Sequence, residues 1–177
     1  MRPYMKGTNM KFIAPSAIRE PSLKFKKSYF EFYKKIKSSA FEDFKKNQIM
    51  THVLGHERWS FRVTGVSVSA LKEIKKSGYR HPGGGLLERD HIVRRRADTC
   101  KHIFSNEMPF NEWWEYIWDG DQTHLVTKKE NRSNEESSEI IPLNWQEGYF
   151  EDAGIGFKCR VRTEGVMVRE LCLTQGL

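Results

Sequence analysis

The spacing of apolar positions changes several times along the chain, and each change predicts an element. From Lys26 to about Gln48, Phe30, Tyr33, Ile36, Phe41 and Phe44 recur three to five residues apart, with Lys34, Lys35, Lys45 and Lys46 between them. That is the period of an amphipathic helix whose lysines form a solvated face. Trp59, Phe61 and Val63 then alternate with Arg58, Ser60 and Arg62, predicting a half-buried strand that Gly65 ends. Ser67 is placed to cap a short helix with Val68, Leu71 and Ile74 inward, stopped by Gly78. The stretch YRHPGGG predicts a loop, because three consecutive glycines disfavour regular structure. No Lys-Ser or Lys-Thr follows them, so the loop is not a nucleotide P-loop.

LLERDHIV has the length of a strand. A short helix is expected around Asp98 to Phe104, and NEWWEYIW predicts a second, with Pro109 near its start and Asn111 as cap. Trp113, Trp114, Ile117 and Trp118 read as packing residues of that helix rather than as a base-stacking surface. DGD breaks it. Thr123 to Val126 then predicts a strand and TKKENRSNEESSE a polar helix, opened by the capping-box pair Thr127 and Glu130. Beyond Pro142, one or two strands and a closing helix are expected. The chain divides into a basic N-terminal region (1–80) suited to positioning nucleic acid, a middle segment (81–141), and a C-terminal extension (142–177) that packs on it.

The chain has 177 residues, of which 38% are hydrophobic, including 11 Phe and 5 Trp, which is enough to bury a core. Its formal charge of +7 favours an acidic partner, of which nucleic acid is the commonest. Cys100, Cys159 and Cys172 form no CxxC pair; they read as free thiols and fit a reducing, cytoplasmic setting. A zinc site built from them with His102 lacks the usual ligand spacing. No apolar run is long enough to span a membrane. His52, His56, His81 and His102 have no partners at ligand spacing and read as surface or hydrogen-bonded residues.

The chemistry concentrates between residues 86 and 134. Asp90 and His91 end a strand, and Asn131 follows about forty residues later on a helix-prone stretch. A carboxylate, an imidazole and an amide oxygen are parts that can hold a divalent metal beside a general base. On a strand, Asp90 and His91 point to opposite faces unless the chain bends there. Arg94, Arg95 and Arg96 follow directly and could grip flanking phosphates.

RDHIV, followed by a short strand and a KKEN helix, resembles the HNH nuclease motif of the ββα-metal fold, in phage or mobile-element endonucleases especially. The resemblance implies an α+β fold: an HNH-like ββα core with a helical insert in its hairpin, behind an N-terminal helical and β extension. It implies Asp90 and Asn131 as metal ligands, with Asn134 as an alternative, and His91 as general base. Counting back from Asn131 puts Gln122 where the family has a loop-pinning Asn, and Asp121 and His124 are near enough to share that role. Oxygen donors favour Mg2+ or Mn2+. The partner implied is double-stranded DNA, bound through Arg89, Arg94, Arg95, Arg96, Lys128, Lys129 and Arg132, and a homodimer is compatible with such a role. The function implied is metal-dependent phosphodiester hydrolysis of the restriction or homing kind. A non-catalytic nucleic-acid-binding or assembly protein with a decayed core is the alternative, motivated by the Gln at the loop-pinning position and the absence of a second His.

Overall fold

A mixed four-stranded sheet holds the chain together, in the order β2-β3-β1-β4, with helices gathered into two groups. The computed structural model describes residues 20–57, 59–60, 62–93, 95–132, 139–147, 149–150 and 162–177. The strands are β1 (Arg62–Ser67), β2 (Leu87–His91), β3 (Gln122–Thr127) and β4 (Ile140–Pro142). β1 runs parallel to β3 and antiparallel to β4, while β2 runs antiparallel to β3. The sheet therefore draws strands from both sides of residue 80. The fold is α+β, as expected.

The first helical stretch is two helices, not one: α1 (Leu23–Lys37) and α2 (Asp43–Gly55). Two serines make the break. Ser38 Oγ donates to the Lys35 carbonyl at 3.2 Å and Ser39 Oγ to the Ile36 carbonyl at 2.6 Å, so side chains take the acceptors that a continuing helix would use. The break re-aims the second half. Phe41 and Phe44, inward by their spacing, are exposed, and Met50 and Leu54 go inside instead. α2 also runs past Gln48, which sets His52 edge-to-face with His56 one turn later, ring centroids 4.3 Å apart.

α1 and α2 pack with the two helices inserted between β2 and β3, which are α4 (Arg96–Ser105) and α5 (Phe110–Gly120). Tyr33, Trp59, Ile103, Trp113, Trp114 and Ile117 form this aromatic cluster, and Tyr33 ties α1 to α4 through a 2.6 Å bond to the Ile103 carbonyl. Pro109, rather than Asn111, occupies the cap position of α5. The second cluster lies on one face of the sheet. There Val63, Val66, Leu87 and Leu125 meet Leu71 and Ile74 of α3 (Val68–Lys76) and Val168 and Cys172 of α7 (Arg162–Thr174). Burying each such aliphatic side chain contributes about 1.5–3 kcal/mol. Arg62 joins the two clusters: its guanidinium lies 3.6 Å from the centroid of the Trp118 ring and donates to the Trp118 carbonyl at 2.6 Å.

Gly65 does not end β1; it lies within it, beside a register slip between Val63 and Gly65. Ser67 caps α3 as predicted, accepting from the Ala70 N–H at 3.0 Å. The polar helix after β3 is described only as α6 (Lys128–Arg132), and the strands expected between residues 151 and 161 lie outside the described residues. Cys100 and Cys172 are buried in different clusters, which separates two of the thiols considered for a zinc site; Cys159 lies outside the described residues. Among the described residues, no helix is long and apolar enough to cross a membrane.

Candidate active site

β2 and β3 form an antiparallel pair whose register places Asp90 opposite His124 and His91 opposite Thr123. Opposed residues share a face and neighbours along a strand alternate. Glu88, Asp90, Gln122 and His124 therefore lie on one face, and Arg89, His91, Thr123 and Leu125 on the other. Leu125 belongs to the apolar cluster, so the Asp90 side is the face turned away from it.

α6 begins at once after β3 and returns over β2. Two contacts fix its start. The Lys128 N–H donates to the Leu86 carbonyl at 2.8 Å, and Glu130 closes the predicted capping box on Thr127, accepting from its N–H at 2.7 Å and its hydroxyl at 2.8 Å. Glu130 also accepts from the Ser67 hydroxyl at 2.8 Å, which links α6 to the cap of α3. Burial pushes the Glu130 carboxyl up, but the hydrogen bonds from Thr127, Ser67 and Ser69 outweigh it and hold the group below its usual range. This return brings the helix onto the Asp90 face. Asn131 Nδ2 donates to Glu88 at 2.8 Å, and Arg132 reaches the other Glu88 oxygen at 3.1 Å. Glu88 is held low first by the Asn131 hydrogen bond and then by the positive charge of Arg132.

Asn131 thus shares a face with Asp90, but its amide nitrogen is committed to Glu88. Asn134 and Arg94 lie outside the described residues. His91 is on the opposite face from Asp90, half-buried at the end of its strand. Burial lowers its pKa, and Arg96 and Arg95 lower it further against the pull of Asp90.

Of the residues named for loop-pinning, Asp121 is the one with a buried side-chain partner across the insert. Arg96, read from sequence as a phosphate contact, is 7% exposed and ion-paired with Asp121, which is 4% exposed. The pair links the first residue of α4 to the residue after α5, across the mouth of the insert. Gln122 contributes its main chain, accepting from the Ile92 N–H at 3.2 Å. Arg89 is likewise used by the fold, donating to the Phe150 carbonyl at 2.5 Å. Arg95 and Lys129 are exposed, Lys128 is half-buried, and Arg132 is exposed but paired with Glu88.

His124, expected beside the hairpin loop, lies instead in mid-strand over Gly65 of β1. A methyl group at Gly65 would come within 2.6 Å of His124 Cδ2 and 2.9 Å of Nε2. Only glycine leaves room for this ring. Burial lowers the His124 pKa, opposed by the Asp90 carboxylate. The sequence carries two signals for the arrangement, a histidine within a strand pattern and a glycine within another. Their meeting depends on β1 pairing with β3, which no local pattern encodes.

Among the described residues, no three His, Cys, Asp or Glu side chains gather as a ready metal cage. Asp90 and His124 are opposed on one face, and Asn131 stands over Glu88 on the same face. A hard cation that keeps several waters can be held by one or two such groups together with a substrate phosphate. No family model, no curated protein and no solved structure matches this chain significantly.

Proposed function

We propose that the β2–β3–α6 unit is a metal-dependent phosphodiesterase centre of the ββα kind and that the chain cuts duplex DNA. One observation carries this reading: α6 follows the antiparallel pair directly and returns over β2, so that Asn131 stands beside Glu88 on the face that carries Asp90. The helix amide thereby meets the Glu88 carboxylate, two residues before Asp90 on the same face of β2.

Asp90 would hold a divalent ion, and Asn131 has only its Oδ1 left to offer. The ion, when bound, would neutralise charge on the phosphate and the leaving oxygen. His91, the last residue of β2, lies on the face opposite Asp90 and would take the proton from water once the strand end turns its ring toward the ion. Its burial and the neighbouring guanidiniums favour the neutral imidazole that a general base needs. Arg95 and Lys129, exposed near the ends of β2 and β3, are the cations available to the DNA backbone.

Nicking of supercoiled plasmid with Mg2+ or Mn2+, with and without EDTA, tests this. Cleavage that EDTA stops, and that His91→Ala abolishes while leaving DNA binding intact, is the expected result. Binding without strand breaks under any metal would instead favour a non-catalytic nucleic-acid-binding protein. Full cleavage by His91→Ala protein would remove the mechanism.

A further inference from the structure

We propose that His124 is a nitrogen ligand of this centre, so that the ion sits between adjacent strands, held by Asp90 of β2 and His124 of β3. The inference rests on the hydrolase reading above and changes its donor set. It also moves the metal from Mg2+ or Mn2+ to the Mn2+ and Co2+ class.

Three observations support it. The first is register. Asp90 and His124 are directly opposed on an antiparallel pair, which sets their Cβ atoms about 4.5–5.5 Å apart on a common face. A carboxylate and an imidazole at that separation can close on one ion with metal–donor bonds of about 2.0–2.2 Å.

The second is the seat of the ring. The Cδ2–Nε2 edge of His124 is the edge that approaches Gly65 on β1. β3 lies between β1 and β2, so the Nδ1 edge is turned away from β1, toward the strand that carries Asp90. An alanine at residue 65 would displace the imidazole, and Ile140 Cγ2, 2.8 Å from the same point, closes that side. A half-buried imidazole in mid-strand has been given a slot that fixes its direction.

The third is what the donors already do. Among the described residues, neither the Asp90 carboxylate nor the His124 ring makes a hydrogen bond, whereas Asn131 has given its amide N–H to Glu88. The half-buried His124 ring is partly stripped of water and needs a partner, while Asp90 is exposed and its carboxylate can reach a cation that the ring also binds. The charge of Asp90 already acts on the His124 ring, in keeping with their opposed positions.

The donor set decides the metal. Mg2+ demands oxygen and dehydrates reluctantly, while an imidazole nitrogen beside a carboxylate suits Mn2+ less than Co2+, following the usual divalent order. The site should therefore prefer Co2+ over Mn2+, and both over Mg2+.

The experiment is a Mn2+ titration of the full chain followed by electron paramagnetic resonance, repeated with Co2+ by visible absorption, in wild type, His124→Gln, Asn131→Ala and His91→Ala. His124→Gln should weaken Mn2+ binding by about 100-fold, at the top of the roughly 10–100-fold range that changes to outer-shell groups cost. Asn131→Ala should weaken it less, and His91→Ala should leave it near wild type. If His124→Gln does not fold, NMR of the wild-type histidine rings decides. Substoichiometric Mn2+ should broaden the His124 ring signals before those of His52, His56, His81 and His102. Unchanged affinity in His124→Gln, or a His124 ring no more broadened than those four, overturns the proposal. If EDTA-sensitive nicking persists in that case, the hydrolase reading survives without it. A wild-type chain that binds neither Mn2+ nor Co2+ at millimolar concentration overturns both.

Discussion

Arg96 and Asp121 form a buried ion pair across the neck of the α4–α5 insert. The two residues are the first of α4 and the one after α5, so the pair fixes where 24 intervening residues leave and rejoin the sheet. His91 precedes the neck on one side and Gln122 follows it on the other. The ion pair, together with the main-chain bond from Ile92 to Gln122, ties the ends of this insert to each other.

Breaking that pair should cost more than removing an ion pair from the surface. Arg96→Ala leaves a buried carboxylate without its cation, and Asp121→Ala leaves the reverse, each costing about 3–5 kcal/mol. The double change Arg96→Met with Asp121→Leu removes both charges and should recover most of the loss. Urea unfolding of the four proteins measures this. Equal losses in single and double variants would mean that the pair does not act as a unit.

Gly65→Ala tests the seat of His124. The new methyl would meet two ring atoms and Ile140 inside 3 Å. Such overpacking typically costs about 1–3 kcal/mol. His124→Ala removes the obstruction, so the double variant Gly65→Ala with His124→Ala should be more stable than Gly65→Ala alone. Thermal unfolding of the pair checks the coupling, and additive losses would place the ring away from the strand.

The basic residues separate into two groups on burial. Arg95 and Lys129 are exposed, while Arg89 and Arg96 are bonded into the fold. Alanine at Arg95 or Lys129 should weaken binding to any duplex and lower the slope of log affinity against log salt by about 0.9 for each phosphate no longer neutralised. Arg89→Ala should lower stability before it alters that slope. Fluorescence anisotropy across a salt series reads the first and urea unfolding the second.

The same division shows what a sequence can convey. The capping box of Thr127 and Glu130, the cap at Ser67, the Trp113–Ile117 face and the helical insert are all legible, because each depends on spacings within a few residues. What is not legible depends on distant partners. Nothing near Arg96 marks Asp121 as its counter-ion, so three consecutive arginines read as one basic patch. The serines at the end of α1 look too weak to stop a strong hydrophobic period, and the period alone puts Phe41 and Phe44 inside. Gly65 looks like a strand end because the reason for a glycine there, the ring of His124, comes from a strand that begins 57 residues later in the chain.

The pH dependence of cleavage follows from the surroundings of His91. Burial disfavours the imidazolium, and the charges of Arg96 and Arg95 add to that, with Asp90 opposing. The active form of a general base is the neutral one, so the rate should rise with pH through a midpoint below the ordinary histidine value of 6.5 and be level above it. Single-turnover nicking across pH 5 to 8 measures the midpoint. A midpoint above 6.5 would assign the limb to another group.

Glu130 gives a second pH signature, in stability rather than rate. Burial raises its pKa, but the Thr127, Ser67 and Ser69 hydrogen bonds bring the net value below the usual 4.5. A carboxyl held lower in the folded chain than in the unfolded one stabilises the fold in its ionised form. That contribution is complete above pH 4.5 and is lost as pH falls through the lower folded value. Glu130→Gln keeps the shape but has no proton to take up, and it weakens the bonds that close α6 onto β3 and the cap of α3. It should therefore be less stable than wild type at pH 7, by about 1 kcal/mol as for the loss of a helix cap. The gap should narrow as pH drops below 4.5, because only wild type loses the contribution there. Urea midpoints of both proteins at pH 7, 5 and 3.5 test the sign. A gap that widens toward acid would mean that Glu130 is held protonated, and that α6 is fastened over Asp90 by other contacts.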